Sequence, residues 1–168
     1  MEEKGIDNNL FQSILENIDP DLDDEQEIKS KAFDFIDLLV DGHFEDDFCQ
    51  LLINSIKPNT DLRKVSRVLD ILIWSTPDNG SKLDKLTSNW LISNDKLKIK
   101  VILFRKDWLP KDEHWPQERG HIKRVCPELN FIVDYYSNEL NSWRKTGLRR
   151  IDELKEIIKT AGSTVYIA

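Results

Sequence analysis

Whether this chain contains a β-sheet is decided at Leu97-Lys98-Ile99-Lys100-Val101-Ile102-Leu103-Phe104. Leu97, Ile99, Val101 and Leu103 alternate with Lys98, Lys100, Ile102 and Phe104, a two-residue period rich in β-branched side chains that points to a strand. Two later stretches read the same way: Leu129-Asn130-Phe131-Ile132-Val133 and the terminal Thr164-Val165-Tyr166-Ile167. Between them Leu140, Trp143, Leu148, Ile151, Leu154 and Ile158 form one helical stripe, with Gly162 placed as a C-terminal cap. A further helix between His114 and Val125 completes a β-α-β-α-β order, and such crossovers pair their strands in parallel.

The expected fold is therefore α+β. Residues 1–95 form an acidic helical subdomain, and residues 96–168 form a small β-α-β-α-β subdomain with a three-stranded parallel sheet, the two sharing one core. The same residues admit an all-α alternative, an antiparallel helical array. Leu97, Val101, Phe104 and Trp108 fit one helix face, as do Leu129, Val133, Tyr136 and Leu140, and Pro127-Glu128 makes a good helix start. No self-similar period accompanies this alternative.

Upstream, the pattern is helical throughout. Leu10, Phe11, Ile14, Leu15 and Ile18 recur at helical spacing, with Asp7 or Asn8 as the cap. Pro20 and the acidic run Asp21 to Glu27 separate this helix from a second stripe, Ile28, Ala32, Phe35, Ile36 and Leu39, which ends at Gly42. A third carries Phe44, Phe48, Leu51, Leu52 and Ile56, and a fourth, capped by Thr60, carries Leu62, Val65, Val68, Leu69 and Leu72. The turn Thr76-Pro77-Asp78-Asn79-Gly80 leads into a fifth along Leu83, Leu86 and Trp90, opened by a capping box of Ser81 and Asp84.

Charge is distributed unevenly along the chain. Residues 1–60 hold 16 Asp and Glu against 4 Lys and Arg; residues 96–168 hold 10 against 15. A coherent acidic surface steers basic partners. Hydrophobic residues make up 39% of the 168, enough for a packed core. No run of about 18 apolar residues occurs, so no membrane partner is expected. Cys49 and Cys126 stand alone rather than in a CxxC pair, which suits two buried thiols in a cytoplasmic protein.

These features point to a non-enzymatic protein-interaction module, of inhibitor, immunity or adaptor type, that recognises a basic partner through Asp21, Asp23, Asp24, Glu45, Asp46 and Asp47. The segment Asp19 to Glu27 begins like a calcium loop, but Asp24 stands where glycine makes the turn and Ser30 where a bidentate Glu closes the site. The alternative is a small α/β hydrolase or nucleotide-binding domain. Its candidate catalytic residues, Asp134, Arg105 and His114, would meet at the carboxyl edge of the sheet. A second alternative is nucleic-acid binding through Arg144, Lys145, Arg149 and Arg150, next to Trp143. His114, Glu118 and His121 fall at i, i+4 and i+7 and could share a helix face, yet the spacing matches no established metal motif. No cofactor is expected, because no dinucleotide fingerprint or phosphate loop is present.

Overall fold

In the computed structural model, which describes residues 5–22, 26–43, 47–146 and 151–165, the lysine-alternating stretch is a helix. The expected sheet does not form among the described residues. Among the described residues the only extended pairing is a single antiparallel bridge between Ile18 and Ile28. The chain is instead the all-helical array that the second reading of the same residues allows. Its helices are α1 (Asn8–Glu16), α2 (Ser30–His43), α3 (Phe48–Asn54), α4 (Leu62–Ser75), α5 (Ser81–Trp90), α6 (Lys96–Leu103), α7 (Trp115–Val125), α8 (Asn130–Thr146) and α9 (Ile151–Val165). A 3-10 turn, Pro127–Leu129, leads into α8.

The physical reason lies in where α6 sits. Asp95 caps it, its carboxylate accepting from the Leu97 and Lys98 amides at 3.0 and 3.4 Å. Ile99, Val101, Ile102 and Leu103 are all buried, and so is Lys100, whose Nζ lies 3.7 Å from Glu128. A helix enclosed on nearly every side has no polar face to set a 3.6-residue period, so spaced lysines imitate alternation. Its C-terminal carbonyls find side-chain donors. Ser66 shares its hydroxyl proton between the Leu62 and Val101 oxygens at 2.9 and 2.7 Å. Tyr136 likewise spans the Leu103 and Arg105 oxygens at 2.8 and 3.0 Å.

The other two expected strands are also helical. Ile132, Val133, Tyr135 and Tyr136 are buried on α8 while Phe131 and Asp134 face outward, an i, i+1, i+4 pattern that packing selects over local β preference. The last stretch is helical through Val165, with Gly162 inside α9 rather than capping it; Tyr166 and Ile167 lie outside the described residues. The single long helix expected between the second and third strands is two helices, α8 and α9.

The helical front half forms much as its stripes imply, with local corrections at the caps. Asp7 caps α1, as expected. Asp61, not Thr60, caps α4. Gly80 (φ 75) precedes α5 in the left-handed region, where the Asp78 carboxylate accepts from the Gly80 and Lys82 amides in place of a Ser81–Asp84 box. Helix α4 is the hub, packing against α1, α2, α5, α6 and α9. One apolar core runs through the described residues from Ile6 to Ile158. Trp115 clips α7 to α8 by donating to Ser137 at 2.9 Å. Among the described residues, no helix is long and apolar enough to cross a membrane.

Candidate functional site

Helix α2 buries Ala32, Ile36, Leu39 and Val40 against the core and turns a different set outward. Phe33 and Leu38 are 45% and 59% exposed, and Asp34, Asp37 and Asp41 are exposed beside them. At roughly 100° per residue these five side chains occupy an arc of about 140°, with the three carboxylates between the two apolar residues. Asp34, Asp37 and Asp41 make no ion pair among the described residues. Single exposed apolar residues are ordinary. Two of them bracketing three unneutralised acids on one helix is a composite surface, apolar at its edges and anionic along its middle.

Other acids of the front half are consumed internally. The bridge between Ile18 and Ile28 pinches the base of the acidic loop, with the Asp19 amide donating to the Glu27 oxygen at 2.7 Å. This sends the fully buried Glu27 carboxylate inward, 2.7 Å from Lys106 Nζ and 3.1 Å from Arg67 Nε. Two cations therefore hold the Glu27 carboxylate inside the core. Arg67 Nη1 continues the chain to Asp70 at 2.8 Å and Asp107 at 3.3 Å, and Arg105 Nε donates to Asp70 at 2.6 Å. Burial alone would lower the Arg67 guanidinium, but Asp70, Glu27 and Asp107 more than offset it and hold it above its ordinary value. Burial pulls the Lys106 ammonium below its ordinary value, with Glu27 opposing.

Among the acids expected to bind a partner, Asp21 pairs with Arg63 at 3.0 Å and lies 3.8 Å from Lys159. Asp47 is exposed but caps α3, accepting from the Gln50 amide at 3.1 Å. Asp23, Asp24, Glu45 and Asp46 lie outside the described residues.

Asp134, Arg105 and His114 do not meet at a sheet edge, since there is no sheet among the described residues. Asp134 sits on the outer face of α8, 2.7 Å from Lys123. Arg105 is buried just past α6, and His114 is exposed at the start of α7. Of the histidine trio, Glu118 is buried, and burial pushes its carboxyl up. His121 Nε2 donates to the Ser93 oxygen at 2.7 Å, which assigns its proton to Nε2. Among the described residues, no group of three His, Cys, Asp or Glu is placed to hold a metal ion. The backbone of Arg144 and Lys145 belongs to α8; Arg149 and Arg150 lie outside the described residues.

Sequence reasoning missed both the α2 face and the buried ion chain. Phe33 and Leu38 stand off the stripe of Ala32, Ile36 and Leu39, and that displacement is the signal that could have found the face. Asp70 stands in Val68-Leu69-Asp70-Ile71-Leu72, where a lone acid among apolar neighbours signals a buried pair. Comparison with protein-family models, with curated proteins and with solved structures gave no match.

Proposed function

We infer that this chain is a protein-interaction module that docks a basic protein surface onto the outer face of α2, acting in the cytoplasm as an inhibitor or adaptor. The observation that supports this reading is the set of carboxylates Asp34, Asp37 and Asp41, which make no ion pair among the described residues and lie between exposed Phe33 and Leu38. Charge complementarity names the occupant. A lysine- or arginine-bearing segment with apolar flanks would neutralise the acids and cover both apolar side chains. The carboxylates set encounter rate and register, while Phe33 and Leu38 supply the desolvated contact.

The test is capture from native lysate with three immobilised proteins: the unaltered chain, Asp34→Lys/Asp37→Lys/Asp41→Lys, and Phe33→Ser/Leu38→Ser. The expected result is a basic protein retained by the unaltered chain, released by added salt, and lost from both variants. Both variants alter exposed side chains, so circular dichroism should show each folded. Retention of the same proteins by the charge-reversed variant would refute the reading.

A further inference from the structure

A second site is legible in the cleft between the start of α5 and the segment that follows α6. The cleft has a volume of about 350 Å³, and its lining includes Arg105, Trp108, Leu109, Lys111 and Ser81. Arg105 is only 3% exposed. Its Nε is engaged by Asp70, while its Nη1 is buried with no hydrogen-bond partner among the described residues. A buried donor left unmade is costly and calls for an acceptor.

The acids in the lining are already engaged. Asp70 holds Arg105 and Arg67, one through each oxygen; Asp107 holds Arg67; and Asp84 holds Lys111 at 3.1 Å. The lining itself holds these three acids against Arg105 and Lys111, with Arg67 behind them as the third cation, so the unspent hydrogen-bonding capacity is that of Arg105 Nη1. The amides at the start of α5 offer little, since Asp78 already takes two of them. On the other wall Trp108 stands edge-on to Tyr136, with ring centroids 4.9 Å apart, which fixes its plane.

We propose that this cleft binds a small monocarboxylate with an aromatic or apolar body, the carboxylate on the free edge of Arg105 and the body against Trp108 and Leu109. A guanidinium edge matches a planar carboxylate with two parallel hydrogen bonds. With Asp70, Asp84 and Asp107 already in the lining, one negative charge is favoured over the two or more of a phosphate. A cleft of this size lies at the small end of the range for organic ligands. The site shares no residue with the α2 face, so its test and the docking test succeed or fail separately.

The experiment is a titration with benzoate, followed by thermal shift and by the side-chain NH signals of Arg105 and Trp108 in nitrogen-15 spectra. Benzamide and inorganic phosphate serve as controls. Benzoate should raise the melting temperature and move both signals, and neither control should do so. Ser81→Glu adds an anion at the exposed rim, where the first turn of a helix tolerates it, and should weaken benzoate binding about tenfold or more. Arg105→Lys keeps the charge, removes the paired donors and should abolish the effect; if it does not fold, Ser81→Glu carries the test. No response to benzoate, an equal response to benzamide, a stronger response to phosphate, or unchanged binding in Ser81→Glu would each overturn the proposal.

Discussion

Replacing Asp70 by leucine removes the one carboxylate among the described residues that holds Arg105. The Asp70 side chain is 1% exposed, with Arg105 Nε at 2.6 Å and Arg67 Nη1 at 2.8 Å. Arg67 keeps Glu27 and Asp107 after the change, whereas Arg105 keeps no carboxylate among the described residues. Stripping one partner from a buried ion pair costs about 3–5 kcal/mol, because the remaining charge stays in a poor solvent. With an m value of about 2 kcal/mol/M, the urea midpoint should fall by roughly 1.5–2.5 M at constant slope. The converse change, Arg105→Met, should cost less, about 1–3 kcal/mol, because Asp70 retains Arg67. The double variant, Asp70→Leu with Arg105→Met, removes both charges and should cost no more than Asp70→Leu alone, about 2 kcal/mol less than the sum of the two single losses in the mutant cycle. Urea unfolding followed by circular dichroism reads all four proteins. A loss below about 1 kcal/mol in Asp70→Leu, or strict additivity of the two changes, would refute the buried-pair reasoning.

Asp95→Ala removes the cap of α6 and should cost about 1 kcal/mol, read as a lower urea midpoint; asparagine at the same position should restore nearly all of it. For Glu118, burial raises the folded-state pKa above the ordinary 4.5, so the folded chain holds a proton that the unfolded chain has released. Stability should therefore fall as pH rises from 4.5 through the folded value, and the penalty should persist above it. Glu118→Gln should match the unaltered protein below pH 4.5 and exceed it at neutral pH, as midpoints measured across that range will show.

The front half was legible because its helices are amphipathic and half-exposed. Leu10, Phe11, Ile14 and Leu15 leave polar residues on the other side of α1, and that contrast is what periodicity detects. Helix α6 has no such contrast, since Lys100 is buried along with its apolar neighbours. Burial on all sides erases the period, and the spaced lysines then suggest the wrong one. At Phe131-Ile132-Val133 the β-branched composition was real but was overridden by packing that buries two residues and exposes the first.

The acid excess was plain in the sequence, but the fate of each carboxylate was not. Glu27 and Asp21 sit in one acidic run, yet one is sealed beside Lys106 and the other bridges Arg63 at the surface. That difference is set by residues 42 or more positions away, which no local pattern encodes. The α2 acids, by contrast, lie on a helix the sequence already specified; only the outward placement of Phe33 and Leu38 went unread.

Carboxyl footprinting by mass spectrometry, with the chain free and then saturated with the basic protein it captures, tests the α2 face most directly. Asp34, Asp37 and Asp41 should react readily in the free chain and lose most of that reactivity in the complex, while exposed Asp95 on the α6 cap stays unchanged. Equal labelling of the three α2 carboxylates in both states would contradict the account.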